Sequence, residues 1–317
     1  MLDVLTFAAP IFLLIALGFA AVRSGQFPAS GLSALAAFVI RFALPALVFK
    51  ALSQRDFAEV LNARYLLAYT LGSLGVVLAG LAWARWGRGE NLERGALVAM
   101  GMACSNSAFI GFPLAHQIIG ADAGVGLALC MVVENLLIIP LCLALADSGS
   151  ATHEPFGVAF RRALAGLPKN PLIVAIAAGF VCSMLRLQLP APLTKAVDLL
   201  AGASAAGALF FIGGTLVGLS MRSMAGEVLP VALGKLLLHP LAVAGALWLV
   251  GPITPSLAAC AILMASAPML SIYPIFAQRH GLQGVCSARM VGTTLASFVS
   301  TGLLIALLHQ TGLAPVH

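Results

Sequence analysis

The stretch "CSNSAFIGFPLA", Cys104 to Ala115, lies inside a long apolar segment, yet it contains a Ser-Asn-Ser run, a glycine and a proline. Pro113 cannot donate a backbone hydrogen bond, and its ring displaces the carbonyl group of Phe109, four residues earlier. Phe112 precedes the proline and is disfavoured in helical angles, and Gly111 loosens the same turn. The stretch therefore predicts a helix that breaks between Phe109 and Pro113.

The composition around this stretch is that of a membrane protein. Of the 317 residues, 61% are hydrophobic and 9% are charged, and the mean hydropathy is +1.04. Soluble domains contain about 25% charged residues, so this chain has too few charges to cover a water-facing surface. The net charge of +6 comes from basic residues scattered at the ends of apolar segments, a pattern that reflects membrane topology and predicts no nucleic-acid partner. The six cysteines form no CxxC pair, so neither a metal site nor a cofactor is predicted.

Ten segments are long and apolar enough to span a membrane. A hydrocarbon core about 30 Å thick needs about 20 helical residues, and only helices or closed barrels cross it. We therefore predict an all-α integral membrane protein with ten transmembrane helices. The predicted spans are approximately Leu2–Val22, Gly31–Leu52, Leu61–Trp83, Arg94–Ile119, Ala123–Ala146, Pro171–Leu189, Ala196–Met221, Val228–Val250, Pro255–Gln278 and Val285–His309.

The basic residues favour an orientation with both termini outside. In that orientation ten basic residues lie at the cytoplasmic ends of the spans and five at the opposite ends. Such a bias is the one that the positive-inside rule describes, although the cluster between Lys50 and Arg64 argues against it. We expect a multi-pass protein of the inner (plasma) membrane.

The longest polar connection divides the chain into two halves of five spans each. Residues 1–147 form the first half, residues 148–170 a cytoplasmic linker and residues 171–317 the second half. Because five is odd, two similar halves must insert with opposite orientations, as in inverted-repeat transporters. The fourth and ninth spans correspond in this scheme, and "GFPLAHQIIG" and "IYPIFAQRHG" each have a proline seven residues before a glycine.

Two interrupted helices in corresponding spans predict a binding site near the middle of the membrane. Pro268 and Pro274 should interrupt the ninth span as Pro113 interrupts the fourth. The half-helix beyond each break would present free N–H groups and a partial positive charge, which attract anions. The alternative is a proline kink that a neighbouring helix fills. The predicted substrate-binding residues are Ser105, Asn106, Ser107, Ser266, Ser271 and Tyr273, and the predicted helix-break residues are Gly111, Pro113, Pro268 and Pro274.

Among the charged or titratable residues inside the predicted spans, four are candidates for a role within the membrane. Burial in lipid favours the neutral form of a carboxyl group, so Glu134 is a candidate proton carrier, or else a structural hydrogen-bonding or ion-pairing group. Arg41 could hold a substrate carboxylate or pair with Glu134. Lys235 and His239 share one helix face. Lys235 either snorkels to the cytoplasmic end or acts within the membrane, and His239 either titrates or caps a kink.

Several stretches resemble the auxin efflux carrier family. "SNSAFIGFP" is similar to the Asn-x4-Gly-x-Pro motif at the helix crossover of that family, and "ASAPMLSIYPIFAQRHG" to its ninth-span motif. The resemblance covers essentially the whole chain and implies a carrier of organic anions, as in bacterial permeases for malate or malonate. It also implies a fold like that of sodium/proton antiporters and bile-acid transporters, with crossed broken helices 4 and 9. Asn106, Pro113 and Pro268 would lie at the crossover.

The same resemblance implies two moving parts. Scaffold spans 1, 2, 6 and 7 would support a transport unit of spans 3–5 and 8–10, and a homodimer through the scaffold fits such folds. The sequence departs from the family at Ala206, where many members have proline, and at the ninth-span break, where Ser271 and Tyr273 replace an amide. These departures leave the substrate open.

The expected function is secondary transport of a small organic anion, a mono- or dicarboxylate, by alternating access. Proton coupling through Glu134 is a hypothesis, and a coupling sodium ion is an alternative. No P-loop, HExxH or GxSxG motif occurs, so direct use of ATP and an enzymatic function are not predicted. The competing hypotheses are an anion-selective channel, a membrane-embedded enzyme and a membrane receptor or scaffold.

Overall fold

The protein is helical throughout the part of the chain that the computed structural model describes, which comprises residues 2–55, 61–150, 154–217 and 225–310. Within these ranges there are thirteen α-helices, one short 3₁₀ turn and a single isolated β-bridge. The helices are α1 (Leu2–Arg23), α2 (Gly31–Ser53), α3 (Ala63–Gly87), α4 (Leu92–Ala103), α5 (Ser107–Ile119), α6 (Asp122–Gly149), α7 (Phe156–Ala165), α8 (Pro171–Met184), α9 (Ala191–Thr215), α10 (Gly226–Val250), α11 (Pro255–Ser266), α12 (Tyr273–Gln278) and α13 (Gln283–Gln310).

Several of these helices can cross a membrane. In the described residues, α2, α3, α6, α9, α10 and α13 are long and apolar enough to span it singly, and α7 and α8 together make a seventh candidate, bent by 67°. The prediction of an all-α membrane protein is therefore confirmed. Helices α4 and α5 fall within the predicted fourth span, and α11 and α12 within the ninth. These four helices are short because both segments are interrupted.

The helix ends follow local sequence signals. Besides α5, which follows Asn106, three helices follow an asparagine whose side-chain oxygen accepts an N–H of the first turn, as N-caps do. The bonds run from Tyr65 to Asn62 at 2.9 Å, from Arg94 to Asn91 at 3.0 Å and from Leu172 to Asn170 at 3.0 Å. The predicted end of the seventh span, Met221, lies outside the described residues, and α9 ends at Thr215. The predicted linker contains the amphipathic helix α7.

The helices form two sets of close contacts. Helix α1 packs along α9, and α2 packs along α8 and α9, whereas α3 packs against α4 and α10. Glycines permit the closest approach of α1 to α9. A Cβ atom on Gly213 would overlap the carbonyl oxygen of Ile15, and one on Gly18 would overlap that of Phe210. Small residues of this kind let two membrane helices touch through their backbones.

Four helices contain a π-helical turn that ends two residues before a proline. In a π turn each N–H bonds to the carbonyl five residues back, which widens the helix. The wider turn accommodates the carbonyl group that a proline ring would otherwise displace. In each case the residue before the proline makes this bond. The N–H groups of Leu44, Phe112, Ile139 and His239 donate to the carbonyl groups of Val39, Ser107, Glu134 and Gly234, respectively, before Pro45, Pro113, Pro140 and Pro240.

This arrangement corrects the predicted position of the break in the fourth span. Phe112 keeps helical angles, with φ −65° and ψ −52°, and α5 continues past Pro113 without interruption. The helix breaks earlier, at residues 104–106, where Cys104 is extended. The wider π turn absorbs the effect of Pro113, and so the proline does not itself end the helix.

Candidate transport site

The two interruptions lie directly against each other. Residues 104–106 separate α4 from α5, and residues 267–272 separate α11 from α12. Ser105 and Met269, one from each interruption, form the isolated antiparallel β-bridge. The fourth and ninth predicted spans therefore meet where each is broken.

Backbone hydrogen bonds hold this crossing together. The N–H of Asn106 donates to the carbonyl of Pro268 at 2.7 Å, and the N–H of Leu270 donates to the carbonyl of Cys104 at 3.3 Å. Each break thus satisfies polar groups of the other, as backbone inside a membrane protein must be satisfied. Some N–H groups that we expected to be free for an anion are consequently paired within the protein.

Asn106 connects the two breaks through its side chain as well. Its Nδ2 donates to Ser271 Oγ at 2.7 Å, and its Oδ1 accepts the Phe109 N–H of α5 at 3.4 Å. Asn106 is 3% exposed, whereas Ser271 is partly exposed. The amide and the hydroxyl form a polar pair at the crossing, and Ser271 borders accessible space.

The hydroxyl groups of two other predicted serines are engaged elsewhere. Ser107 Oγ lies 3.1 Å from the Sγ of Cys130, and Ser266 Oγ donates to the Leu263 carbonyl of its own helix at 2.8 Å. Both serines are buried. In this structure these hydroxyl groups stabilise the ends of α5 and α11.

Tyr273 points away from the crossing. Its hydroxyl group donates to the carbonyl of Leu97 in α4 at 2.9 Å, and the side chain is 1% exposed. This contact joins α12 to α4 and leaves no free hydroxyl at the break. The structure therefore gives Tyr273 a packing position, not the substrate-facing one that we predicted.

The predicted helix-break residues have different positions. Pro268 lies in the interruption, as predicted, whereas Pro274 is the second residue of α12, where its missing N–H removes no helical bond. Gly111 lies within the π turn of α5. A Cβ atom there would be 3.0 Å from Met264 Sδ and 3.3 Å from Ala267 Cβ, so this glycine allows α5 to pack closely against α11.

Lys235 is fully buried beside the crossing. It is 0% exposed, and its Nζ contacts Ser105 Oγ at 2.7 Å, the Ala265 carbonyl at 2.6 Å and His239 Nδ1 at 2.8 Å. The snorkelling alternative for Lys235 is therefore wrong. The lysine turns inward because the end of α11 and the break between α4 and α5 supply acceptors there.

His239 extends this contact to α3. Its Nε2 lies 3.0 Å from Ser73 Oγ, and the histidine is also 0% exposed. A lysine ammonium group only donates, so the His239 Nδ1 facing it accepts and the proton resides on Nε2. That tautomer donates to Ser73. We infer this assignment from the hydrogen-bond partners.

Glu134 lies on the other side of Ser105. Its Oε1 accepts the Ser105 N–H at 3.1 Å and the Tyr69 hydroxyl at 3.0 Å, while its buried Oε2 has no hydrogen-bond partner. Glu134 is 0% exposed. It makes no direct ion pair with Lys235, and Ser105 connects the two charges, through its N–H on one side and its hydroxyl on the other.

Arg41 is not part of this group. It is exposed, in the π turn of α2, whereas Glu134 is completely buried. A structural pair between Arg41 and Glu134 is therefore contradicted. The two side chains cannot pair because Arg41 lies on the exposed face of α2, whereas Glu134 points into the protein.

Sequence reasoning missed three residues of the buried network, namely Tyr69, Ser73 and Cys130. Tyr69 and Ser73 are four apart on α3 and so share a face, opposite the Lys235–His239 face of α10. Two apolar helices that each carry a pair of polar residues four apart were the sequence signal that could have predicted this contact. Cys130 looked like a small apolar residue, yet its Sγ lies 3.3 Å from the Tyr69 hydroxyl.

A cavity of about 360 Å³ separates α2 and α9 from α5 and α6. Its rim has two ion pairs. Lys50 contacts Asp198 at 2.7 Å, and Arg55 contacts Asp122 at 2.6 Å. Phe112 and His116 of α5 line the same cavity. It therefore combines an apolar wall with a rim of paired charges.

Comparisons with known proteins identify the family of this chain. The sequence profile of the membrane transport protein family matches residues 3–305. A protein of Rhizobium meliloti (strain 1021) named "Putative malonate transporter" is 31% identical over 312 residues, which cover 96% of each chain. The match covers both interrupted segments and the charged residues between them. The protein therefore belongs to the membrane transport protein family, which is the auxin efflux carrier family that its motifs resemble.

Proposed function

We propose that this membrane transporter is a secondary carrier that moves a small organic anion, a mono- or dicarboxylate, across the inner membrane by alternating access. The observation on which this proposal depends is the crossing of two broken helices, where Asn106 bonds to Ser271 across the breaks. Irregular backbone at membrane depth marks the binding site in secondary transporters built on repeats. The relative named for malonate supports a dicarboxylate.

The chemistry at the crossing suits a carboxylate. The first residues of α5 present N–H groups at the positive end of a helix, and the Asn106 amide can turn its N–H donors from Ser271 to a substrate oxygen. The anion would then bind between the two breaks.

Alternating access requires two units that move against each other. We propose the ten-span inverted repeat, with spans 1, 2, 6 and 7 as scaffold and the others as the transport unit. The packing supports this division, because α1 pairs with α9 and α2 with α8, as two repeats of opposite orientation would pair. In the proposed cycle the crossed helices shift as one unit and expose the site to either side.

Glu134 is the proposed proton carrier of this cycle. It lies one hydrogen bond from Ser105 in the break, and a charge change there would act directly on the crossing. Its partnerless Oε2 is the position at which a proton would bind. Proton binding and anion binding would be coupled through the Ser105–Asn106 backbone.

Transport by purified protein in liposomes tests the proposal. We expect saturable uptake of one or more carboxylates from a panel that includes malonate and malate, with counterflow when the liposomes are preloaded. Asn106→Ala removes the amide, and losing a hydrogen bond to a charged group costs about 1.5–3 kcal/mol, so uptake should fall at least about tenfold. The matched control is Asn135→Ala, because the Asn135 amide bonds to its own helix at the Met131 carbonyl.

Three outcomes would overturn the proposal. Uptake by Asn106→Ala equal to that of the unmutated protein would remove the crossing from the site. Large anion currents without counterflow would indicate an anion-selective channel. A receptor or scaffold on this fold would show neither uptake nor a difference between the two asparagine variants.

A further inference from the structure

The environment of Lys235 Nζ resembles a site for a small cation. The three acceptors are the Ala265 carbonyl, the Ser105 hydroxyl and His239 Nδ1, at 2.6, 2.7 and 2.8 Å, respectively. An ammonium group has three donors and no acceptor, whereas a neutral amine has only two N–H donors. The Nε2–H tautomer of His239 makes all three neighbours acceptors, and with that tautomer the three short contacts of this 0% exposed side chain match the charged form.

The end of α11 explains why a cation belongs at this position. The last four carbonyl groups of a helix lack partners within it and together give that end a partial negative charge. The Ala267 N–H donates to the carbonyls of Leu263 and Met264, at 3.2 and 3.3 Å, and the Ala265 carbonyl accepts from Lys235. The ammonium group thus neutralises the negative end of α11 at the point where it meets the other break.

Glu134 adds a carboxyl group to the same region, one residue of backbone away through Ser105. Negative helix ends and a carboxyl group inside a protein need a compensating charge, because burying unpaired charge is costly. A free cation such as sodium could supply that charge. In this chain Lys235, a side chain of α10, occupies the position of such a cation.

We propose that the ammonium group of Lys235 is a tethered occupant of a monovalent-cation site at the crossing, so that transport needs no sodium ion. The site is defined by Ser105, Ala265 and His239, and its ligand class is a small monovalent cation, alkali metal or alkylammonium. The independence of transport from sodium rests on the proposed carrier function, whereas the cation site itself does not.

Cation binding tests the site without reference to transport. Lys235→Ala, purified in detergent with choline chloride, should melt below the unmutated protein. Methylammonium or sodium should raise its melting temperature by several degrees in a concentration-dependent way, as a ligand of the folded state does. The unmutated protein should melt at the same temperature in all three salts. Lys195→Ala, which removes an exposed lysine, should show no specific response to either cation.

Uptake measures the consequence for transport. Malonate uptake by the unmutated protein should be equal in sodium and choline, while that of Lys235→Ala should be lost in choline and partly restored by methylammonium. If the unmutated protein shows no uptake of any anion, the carrier proposal fails, and the melting experiment still decides the cation site.

Three results would overturn the inference. They are a Lys235→Ala variant whose melting temperature no small cation raises, a Lys235→Ala variant as stable in choline as the unmutated protein, and a sodium-dependent gain in the stability of the unmutated protein. Should Lys235→Ala not be recovered folded in choline, purification in methylammonium provides the same test. Recovery there supports the tethered cation, and failure there contradicts it.

Discussion

Glu134 places a carboxyl group in the interior with its two oxygens in different environments. Oε1 accepts from the Ser105 N–H and the Tyr69 hydroxyl, whereas Oε2 is buried without a partner. An unpaired charged oxygen is costly in apolar surroundings, and a proton bound there removes the charge while leaving both bonds to Oε1 intact. The geometry therefore allows one proton to bind without rearranging the crossing.

Replacing Glu134 by glutamine removes proton binding but keeps an oxygen that can accept the same hydrogen bonds. The amide oxygen can still accept from Ser105 and Tyr69, but the group no longer binds a proton in this pH range. We expect Glu134→Gln to lose the stimulation of anion uptake by an imposed proton gradient, measured in liposomes with and without the gradient. Glu154→Gln, at the linker surface in contact with Arg162, should keep the response of the unmutated protein.

Uptake by Glu134→Gln with an unchanged pH profile and unchanged stimulation would remove Glu134 from the coupling step. A loss of folded protein, seen as a lower melting temperature, would instead identify the carboxyl group as structural. The melting temperature is therefore measured beside uptake for both glutamine variants.

Among single residues, the sequence was enough to place Asn106 at an interrupted segment. It was not enough to predict that Lys235 is buried beside the crossing of the two interruptions. An amide inside an apolar segment beside helix breakers is unusual whatever surrounds it. By contrast, the buried position of Lys235 depends on the carbonyl end of α11 and the hydroxyl of Ser105, which lie 30 and 130 residues away in the chain. Periodicity in α10 predicts the shared face of Lys235 and His239, but not what that face meets.

At the scale of elements, two of the outcomes for prolines in apolar segments could not be distinguished from sequence alone. Pro268 lies in an interruption, whereas Pro113, like Pro45, Pro140 and Pro240, follows a π turn within a continuous helix. Whether the chain breaks or widens depends on what can satisfy the freed backbone groups. At residues 104–106 the other break supplies those partners, and this pairing is a tertiary property.

The π turns also place functional groups. Glu134 begins one π segment and Lys235 is the second residue of another, so each lies where the helix is widened. Such segments are frequent at functional sites. The prolines that follow these turns are visible in the sequence, but the additional residue in each turn is not.

The contact between α1 and α9 gives an element-scale prediction. Gly213→Ala adds a methyl group that overlaps the backbone of Ile15, and overpacking costs about 1–3 kcal/mol. We expect the melting temperature of the purified protein to fall by several degrees. Gly202→Ala, on the same helix with open space at its Cβ position, should leave it unchanged or raise it, since alanine favours helix. Equal melting temperatures for the two variants would contradict the close contact.

For the whole molecule, hydrophobic segment length predicted an all-α membrane protein, and six helices of the described residues, or seven with the bent pair, are long and apolar enough to span the membrane. The membrane fixes helix length through its thickness, so apolar runs locate most helices within a few residues of their observed ends. Which helices pack together is not fixed in this way, because every lipid-compatible surface looks similarly apolar. Backbone contacts such as that between α1 and α9 depend on small residues whose partners the sequence does not name.

Among the described residues, one ion pair joins the two units that we propose to move. Arg55, just after α2, contacts Asp122 at the start of α6, and Ser256 at the start of α11 donates to the same carboxylate. By contrast, Lys50 and Asp198 connect α2 to α9, both in the proposed scaffold. Sliding of the transport unit must separate the first pair and should leave the second intact.

Reversible cross-linking therefore tests alternating access in the whole protein. In a Cys182→Ser background, since the other native cysteines are buried, Arg55→Cys/Asp122→Cys and Lys50→Cys/Asp198→Cys would each be joined by a short, reducible thiosulfonate cross-linker. Complete cross-linking, verified by mass spectrometry, should stop anion uptake by the first variant, and reduction should restore it. The second variant should transport at the same rate before and after cross-linking. Uptake that continues through a fully cross-linked Arg55→Cys/Asp122→Cys protein would mean that these helices do not move apart, because a carrier cannot expose its site to both sides while its two units are fixed together.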